Sequence, residues 1–171
     1  MKSICSVCGR TQGEDNPHDD GVINRVMCAN CLEYFLLLWK GREQYPEVES
    51  RQHPSFMVTV GRRLVACNTK AESALAKPLK AMAGLMCGEF LDCEKSRLPE
   101  GCGLTPHCDS CGFRRVVAET AETGLPQERV TAVLQVNRTG MPEIKNLLLS
   151  ARKTGDLIEL EVAGIQGFPP G

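Results

Sequence analysis

Eight of the ten cysteines in this 171-residue chain fall into two sets whose spacing points to metal chemistry. The first set is two Cys-x-x-Cys pairs, Cys5-Ser-Val-Cys8 and Cys28-Ala-Asn-Cys31. A two-residue gap lets both sulfurs of a pair face one cation from a tight knuckle, and two pairs complete the closed tetrahedral shell of a structural zinc. His18 lies between the pairs, but four thiolates already satisfy zinc, so it reads as a solvated loop residue. The second set, Cys93, Cys102, Cys108 and Cys111, is packed into CEKSRLPEGCGLTPHCDSC, with Pro99, Gly101, Gly103 and Pro106 between the thiols. That composition rules out a regular helix or strand and requires a shaped loop. Ordering it costs roughly 1 to 2 kcal/mol per residue, which its few apolar side chains cannot offset and thiolate–metal bonds can.

Three chemistries suit the second set, and the residues leave all three open. Zinc accepts a Cys-x-x-Cys-Gly knuckle, although Cys93 and Cys102 are irregularly spaced. A [4Fe-4S] cluster also takes four thiolates and tolerates irregular spacing, with Gly101, Gly103 and Gly112 letting backbone N–H groups approach the sulfides. Metal-free switching needs only a disulfide between Cys108 and Cys111. His107 adjoins Cys108, but adjacent residues seldom aim side chains at each other and no orienting partner is visible, so no enzyme is expected. Cys67 and Cys87 read as small core hydrophobes, with Cys87 a reserve ligand close to the loop.

The bulk composition narrows the function further. An apolar fraction of 42% and a charged fraction of 24% are those of a folded protein rather than a disordered one. A net charge of −1 predicts no general attraction to nucleic acid or to an anionic membrane, and 5% aromatic residues make a poor stacking platform for single strands. Met1-Lys2-Ser3 runs into Cys5 without an apolar signal segment, and Tyr34 to Trp39 is too short to span a bilayer. The expectation is a cytoplasmic protein, where paired thiols bind metal more often than they form disulfides.

The elements that must hold these sites divide the chain in two. Residues 1–41 read as a small zinc module: a knuckle, a short hairpin within Gly21 to Met27, and a helix from Leu32 to Lys40 opening on the second pair. This order resembles a treble clef. In that helix Leu32, Phe35, Leu36 and Trp39 form a stripe to cover the hairpin, while Tyr34, Leu37 and Leu38 form a second. That surplus face packs on the following domain or on a second copy. Residues 42–54 read as a linker. Phe56 to Val60 and Leu64 to Cys67 flank a Gly61-Arg62 turn as a hairpin, and Asn68-Thr69 caps a helical run from Lys70 to Ala83 that Pro78 splits, with Ala74, Leu75, Leu79 and Met82 inward. Phe113 to Thr123 reads as a helix with Val116, Val117 and Ala121 inward, its positive end directly on Cys111. Arg129 to Val136 and Leu157 to Val162 alternate as strands, whereas Pro142 to Ala151 looks helical or turn-like.

Residues 55–165 also carry a family likeness. The hairpin, Asn68-x-x-Ala71-Glu72, short helices and Gly88-Glu89-Phe90-Leu91 resemble the front half of a PAS sensory domain. Gly101-Cys-Gly-Leu-Thr-Pro-His-Cys-Asp-Ser-Cys-Gly112 resembles a cysteine-rich insertion found in some bacterial PAS domains of signalling proteins, with Cys93 matching a further cysteine after the Gly-Glu-x-Leu turn. The resemblance implies an α+β fold: a small treble-clef zinc module followed by a PAS-like antiparallel sheet with flanking helices. Such a sheet has five strands. Four are evident here, so either the tail 166–171 adds an edge strand or a partner covers an open edge. The function implied is that of a signalling protein with two four-cysteine metal sites. One is structural zinc at Cys5, Cys8, Cys28 and Cys31. The other, zinc or [4Fe-4S], is at Cys93, Cys102, Cys108 and Cys111, where it acts as a redox or metal sensor. Its output passes through a homodimer or a separate protein. The competing classes are a zinc-dependent nucleic-acid or protein-binding module, gripping through Arg62, Arg63, Arg114 and Arg115, and a thiol–disulfide redox protein.

Overall fold

Alternating apolar residues build the sheet, and capped or glycine-ended helices cover one face of it. The computed structural model describes residues 2–5, 11–12, 23–26, 28, 31, 35, 45–138 and 140–164. The chain divides into two units, Met1–Lys40 and Gly41–Gly171.

In the first unit β1 (Lys2–Cys5) pairs antiparallel with β2 (Thr11–Gln12) and parallel with β3 (Ile23–Val26). The hairpin expected within Gly21 to Met27 is therefore not formed. Residues 23–26 pair instead with β1, in a register that sets Cys5 opposite Val26 and brings the chain back to Cys5 as Cys28 approaches. Cys31 and Phe35 are helical, and Phe35, expected on the covering stripe, is 43% exposed. The rest of the helix expected over Leu32 to Lys40, with Cys8 and His18, lies outside the described residues.

The second unit is α+β, with five antiparallel strands in the order β5-β4-β8-β7-β6. They are β4 (Ser55–Thr59), β5 (Leu64–Cys67), β6 (Gln127–Val136), β7 (Glu143–Thr154) and β8 (Leu157–Ala163). Period-two alternation drives one face inward: Ala132, Leu134 and Val136 on β6, Leu147, Leu149 and Ala151 on β7, Ile158, Leu160 and Val162 on β8. Five strands match the number the resemblance implies, and the tail is not needed for them. The fifth is β7, which corrects the helical or turn-like expectation for Pro142 to Ala151. Asn146 and the run Leu147 to Leu149 contain no β-branched residue, so local propensity favours a helix. Pairing with β6 on one side and β8 on the other overrides it.

Four helices cover the inner face. In α2 (Thr69–Leu75) the cap is Asn68, whose side chain accepts the Ala71 N–H at 2.9 Å. The left-handed Ala76 ends it (φ 51°), Pro78 bars its continuation, and α3 (Leu79–Met82) follows. Next come α4 (Cys87–Phe90) and the twelve-residue α5 (Gly112–Thr123), which ends on Gly124 at φ 70°. Leu75, Met82, Phe90, Phe113, Val116 and Val117 pack into one core with the strands, and the Phe56 and Phe90 rings stack at 5.1 Å. Part of the expected linker belongs to this unit as well. Within it α1 (Pro46–Glu49) buries Val48, and Arg51 forms a bidentate pair with Glu159, which β8 turns away from the core. With Val48 buried and Arg51 held on the buried Glu159, this stretch packs on the unit rather than running free as a linker.

Candidate metal centres

The register of β1 with β3 assembles the first site. Cys5, Cys28 and Cys31 place their sulfurs all within 4.8 Å of one another. In a tetrahedral four-sulfur shell with bonds of about 2.3 Å the sulfurs lie about 3.8 Å apart, so the trio is close to the spacing a single zinc imposes. Two backbone groups steady them: the Cys28 N–H donates to Cys5 Sγ and the Cys31 N–H to Cys28 Sγ, each at 3.4 Å. Cys5 and Cys28 are buried. A trio of this kind could hold a metal ion.

The second site is assembled by fastening a loop at both ends to one strand. At the entry, Cys93 forms an isolated antiparallel bridge with Val136 at the end of β6, and the Asn137 N–H donates to the Asp92 carbonyl at 3.4 Å. Asp92, left-handed at φ 58°, is itself clamped by Lys77 Nζ at 2.6 Å and Arg138 Nε at 2.8 Å. Burial opposes its charge, but these two cations prevail and hold its carboxyl below the ordinary value. At the exit, Cys111 caps α5, and Gly112 meets β6 so closely that a side-chain Cβ would fall 2.7 Å from the Ala132 Cβ. Only glycine permits that approach. Between the ends run two short 3-10 turns, Glu94–Arg97 and Pro106–Ser110, with Gly101 and Gly103 at positive φ.

This fastening turns all four loop thiols, Cys93, Cys102, Cys108 and Cys111, toward a single cavity of about 470 Å³. Cys87, at the start of α4, is a fifth thiol in its wall. Arg62, Lys95 and Arg115 also line it, and no carboxylate does. The sulfurs are held by donors. The Gly88 N–H donates to Cys102 Sγ at 3.3 Å, the Gly103 N–H to Cys108 Sγ at 3.2 Å, and the Thr105 hydroxyl lies 3.2 Å from Cys108 Sγ. At Gly88 a Cβ would sit 2.8 Å from Cys102 Sγ, so that contact also requires glycine. Unlike the first set, the loop thiols do not form a trio with sulfurs mutually within 4.8 Å. Among the described residues only Cys5, Cys28 and Cys31 do.

Electrostatics separates the loop thiols from one another. Burial pushes Cys93 up, against the N–H groups of Lys95 and Ser96, and pushes Cys102 up against the Gly88 N–H and Arg62. At Cys108 burial acts in the same direction, but the Thr105 hydroxyl and the Gly103 N–H outweigh it, leaving that thiol below its ordinary value. Burial raises Cys87 furthest, with the neighbouring Cys102 adding to it. That holds Cys87 as a neutral thiol well beyond its ordinary value.

No family model and no curated protein matches this chain. Solved structures resemble it in fold. A domain of a sensory box sensor histidine kinase/response regulator from Geobacter sulfurreducens is 15% identical, covering 70% of this chain and 90% of its own, with a TM-score of 0.44. The PAS domain of nitrogen regulation protein NR(II) from Vibrio parahaemolyticus is 10% identical over 71% and 96%, at 0.47. The PAS domain of Bordetella pertussis BvgS is 12% identical over 71% and 83%, at 0.43. The α+β fold assigned above rests on the chain's own strands and register. Among the described residues no helix is long and apolar enough to cross a membrane.

The spacing of the thiols showed which residues belong together but not what surrounds them. His107 is exposed at the cavity, whose lining includes no carboxylate. Cys67 is a core residue away from the cavity, and Cys87 joins both the core and the cavity wall. The cation Arg62 was legible as a turn residue and as one of four arginines of a binding-module reading, not as a neighbour of the thiols. Its left-handed backbone (φ 66°) in the β4–β5 turn is what carries it to the thiols, and no pattern in the chain connects it to a loop forty residues away.

Proposed function

We propose that this chain is a sensory protein of the PAS type in which the Cys93–Cys111 loop carries a metal centre. The upstream set Cys5, Cys8, Cys28 and Cys31 holds a structural zinc. The observation that carries the reading is mechanical: both ends of the thiol loop are tied to the same edge strand, through Cys93 with Val136 and Gly112 with Ala132. A change in how the four sulfurs are held, by metal loss, oxidation or thiol modification, therefore acts on β6 and on α5 together. β6 borders the sheet, and Val133 on its outward side is 62% exposed, so a change there reaches the surface. The recipient is a second copy of the chain or a separate output protein. Hydrogen exchange on metal-loaded and metal-stripped protein tests this. Slower exchange in residues 112–136 when loaded is the expected result. A change confined to residues 93–111 would contradict transmission through the strand.

A further inference from the structure

Resting on the reading of the cavity as a metal centre, we infer that it is built for a four-iron four-sulfur cluster rather than for a single zinc ion. Size decides between them. One zinc draws its four sulfurs to about 3.8 Å from each other, leaving no space between them. The first site approaches that spacing. In the loop the fold sets something else: four thiols around a cavity of about 470 Å³, without a close trio among them. A cluster needs that wider arrangement, because each cysteine binds a different iron at a different corner.

The walls fit the same occupant. Cluster sulfurs are stabilised by N–H donors, and the Gly88 and Gly103 N–H groups already point at Cys102 and Cys108. A cluster bound by four thiolates is an anion, and the cavity presents Arg62, Lys95 and Arg115 with no opposing carboxylate. Leu91, Phe113 and Leu134 supply an apolar side, which limits water at the sulfides. Ligation is a substitution: each of the four thiols releases its proton to solvent as its sulfur binds one iron of the cluster, with no change in oxidation state of the protein. The centre would then respond to oxidants that dismantle the cluster.

The test is iron, acid-labile sulfide and zinc analysis of the full chain purified without oxygen, beside the Cys102→Ser variant. The expected result is about four irons and four sulfides per chain in addition to one zinc, with the iron and sulfide lost and the zinc kept in Cys102→Ser. Two zincs and no iron would overturn the cluster while leaving the metal centre standing. No metal beyond the first zinc would overturn both. Iron undiminished in Cys102→Ser would place any cluster elsewhere and also overturn the inference.

Discussion

Two sets of four cysteines in one chain have been folded to different ends. At Cys5, Cys28 and Cys31 the strands bring sulfurs within 4.8 Å, and two N–H groups point at them. At Cys93, Cys102, Cys108 and Cys111 the sulfurs ring a space that is electropositive, flanked by a fifth thiol and fastened to an edge strand. Residue type and number are the same. What differs is the room between the thiols and what they are attached to, and on the proposed reading these separate a clamp from a centre that can report a change.

The largest expected effect follows from the clamp. Zinc binding to modules of this size is worth roughly 10 kcal/mol or more, so chelation should unfold residues 1–40 outright. The second unit has its own continuous core from Phe56 to Val162 and should keep its melting transition. Limited proteolysis with calorimetry distinguishes the two. Loss of both units together would mean that the two do not fold independently.

Next in size is the contact that seats the loop's exit. Gly112→Ala drives a Cβ to 2.7 Å from the Ala132 Cβ, an overpacking cost of about 1 to 3 kcal/mol. It should also strip metal from the cavity while the first unit keeps its zinc. Ala132→Gly added to it should restore both. A variant that melts lower yet retains its full metal content would show that the fastening does not hold the thiols.

The smallest effect concerns the entry. Asp92 has a folded value below the roughly 3.9 of an unfolded aspartate, so its contribution is fully present above that value and fades as pH falls through the folded one. Asp92→Asn should cost about 2 kcal/mol at neutral pH, from two charged hydrogen bonds lost, and progressively less as pH falls below the unfolded value toward pH 2. Urea denaturation at both values measures it. Equal destabilisation at the two would mean that charge is not what fixes the loop's start.

Much of the second unit could be read directly, because burial periodicity and capping chemistry are local. Val130, Ala132, Leu134 and Val136 alternate as a half-buried strand must, Asn68 caps where it stands, and Pro78 divides the helical run. The two misreadings in topology share a cause. Both β3, expected in a local hairpin, and β7, expected as a helix or turn, owe their state to a distant partner. Residues 144–151 do alternate once seen, with Lys145, Leu147, Leu149 and Ala151 inward, but three consecutive leucines hide the period. The thiol loop was legible as a site from composition alone. Its scale was not, since sulfur separation depends on where β6 holds the ends and where the β4–β5 turn sends Arg62.

The most direct measurement is X-ray absorption at the zinc and iron edges of the same oxygen-free sample. The expected result is zinc surrounded by sulfur alone at about 2.3 Å, with an iron signal whose neighbours include both sulfur and other irons. A zinc signal of two sites with the iron edge blank would contradict it.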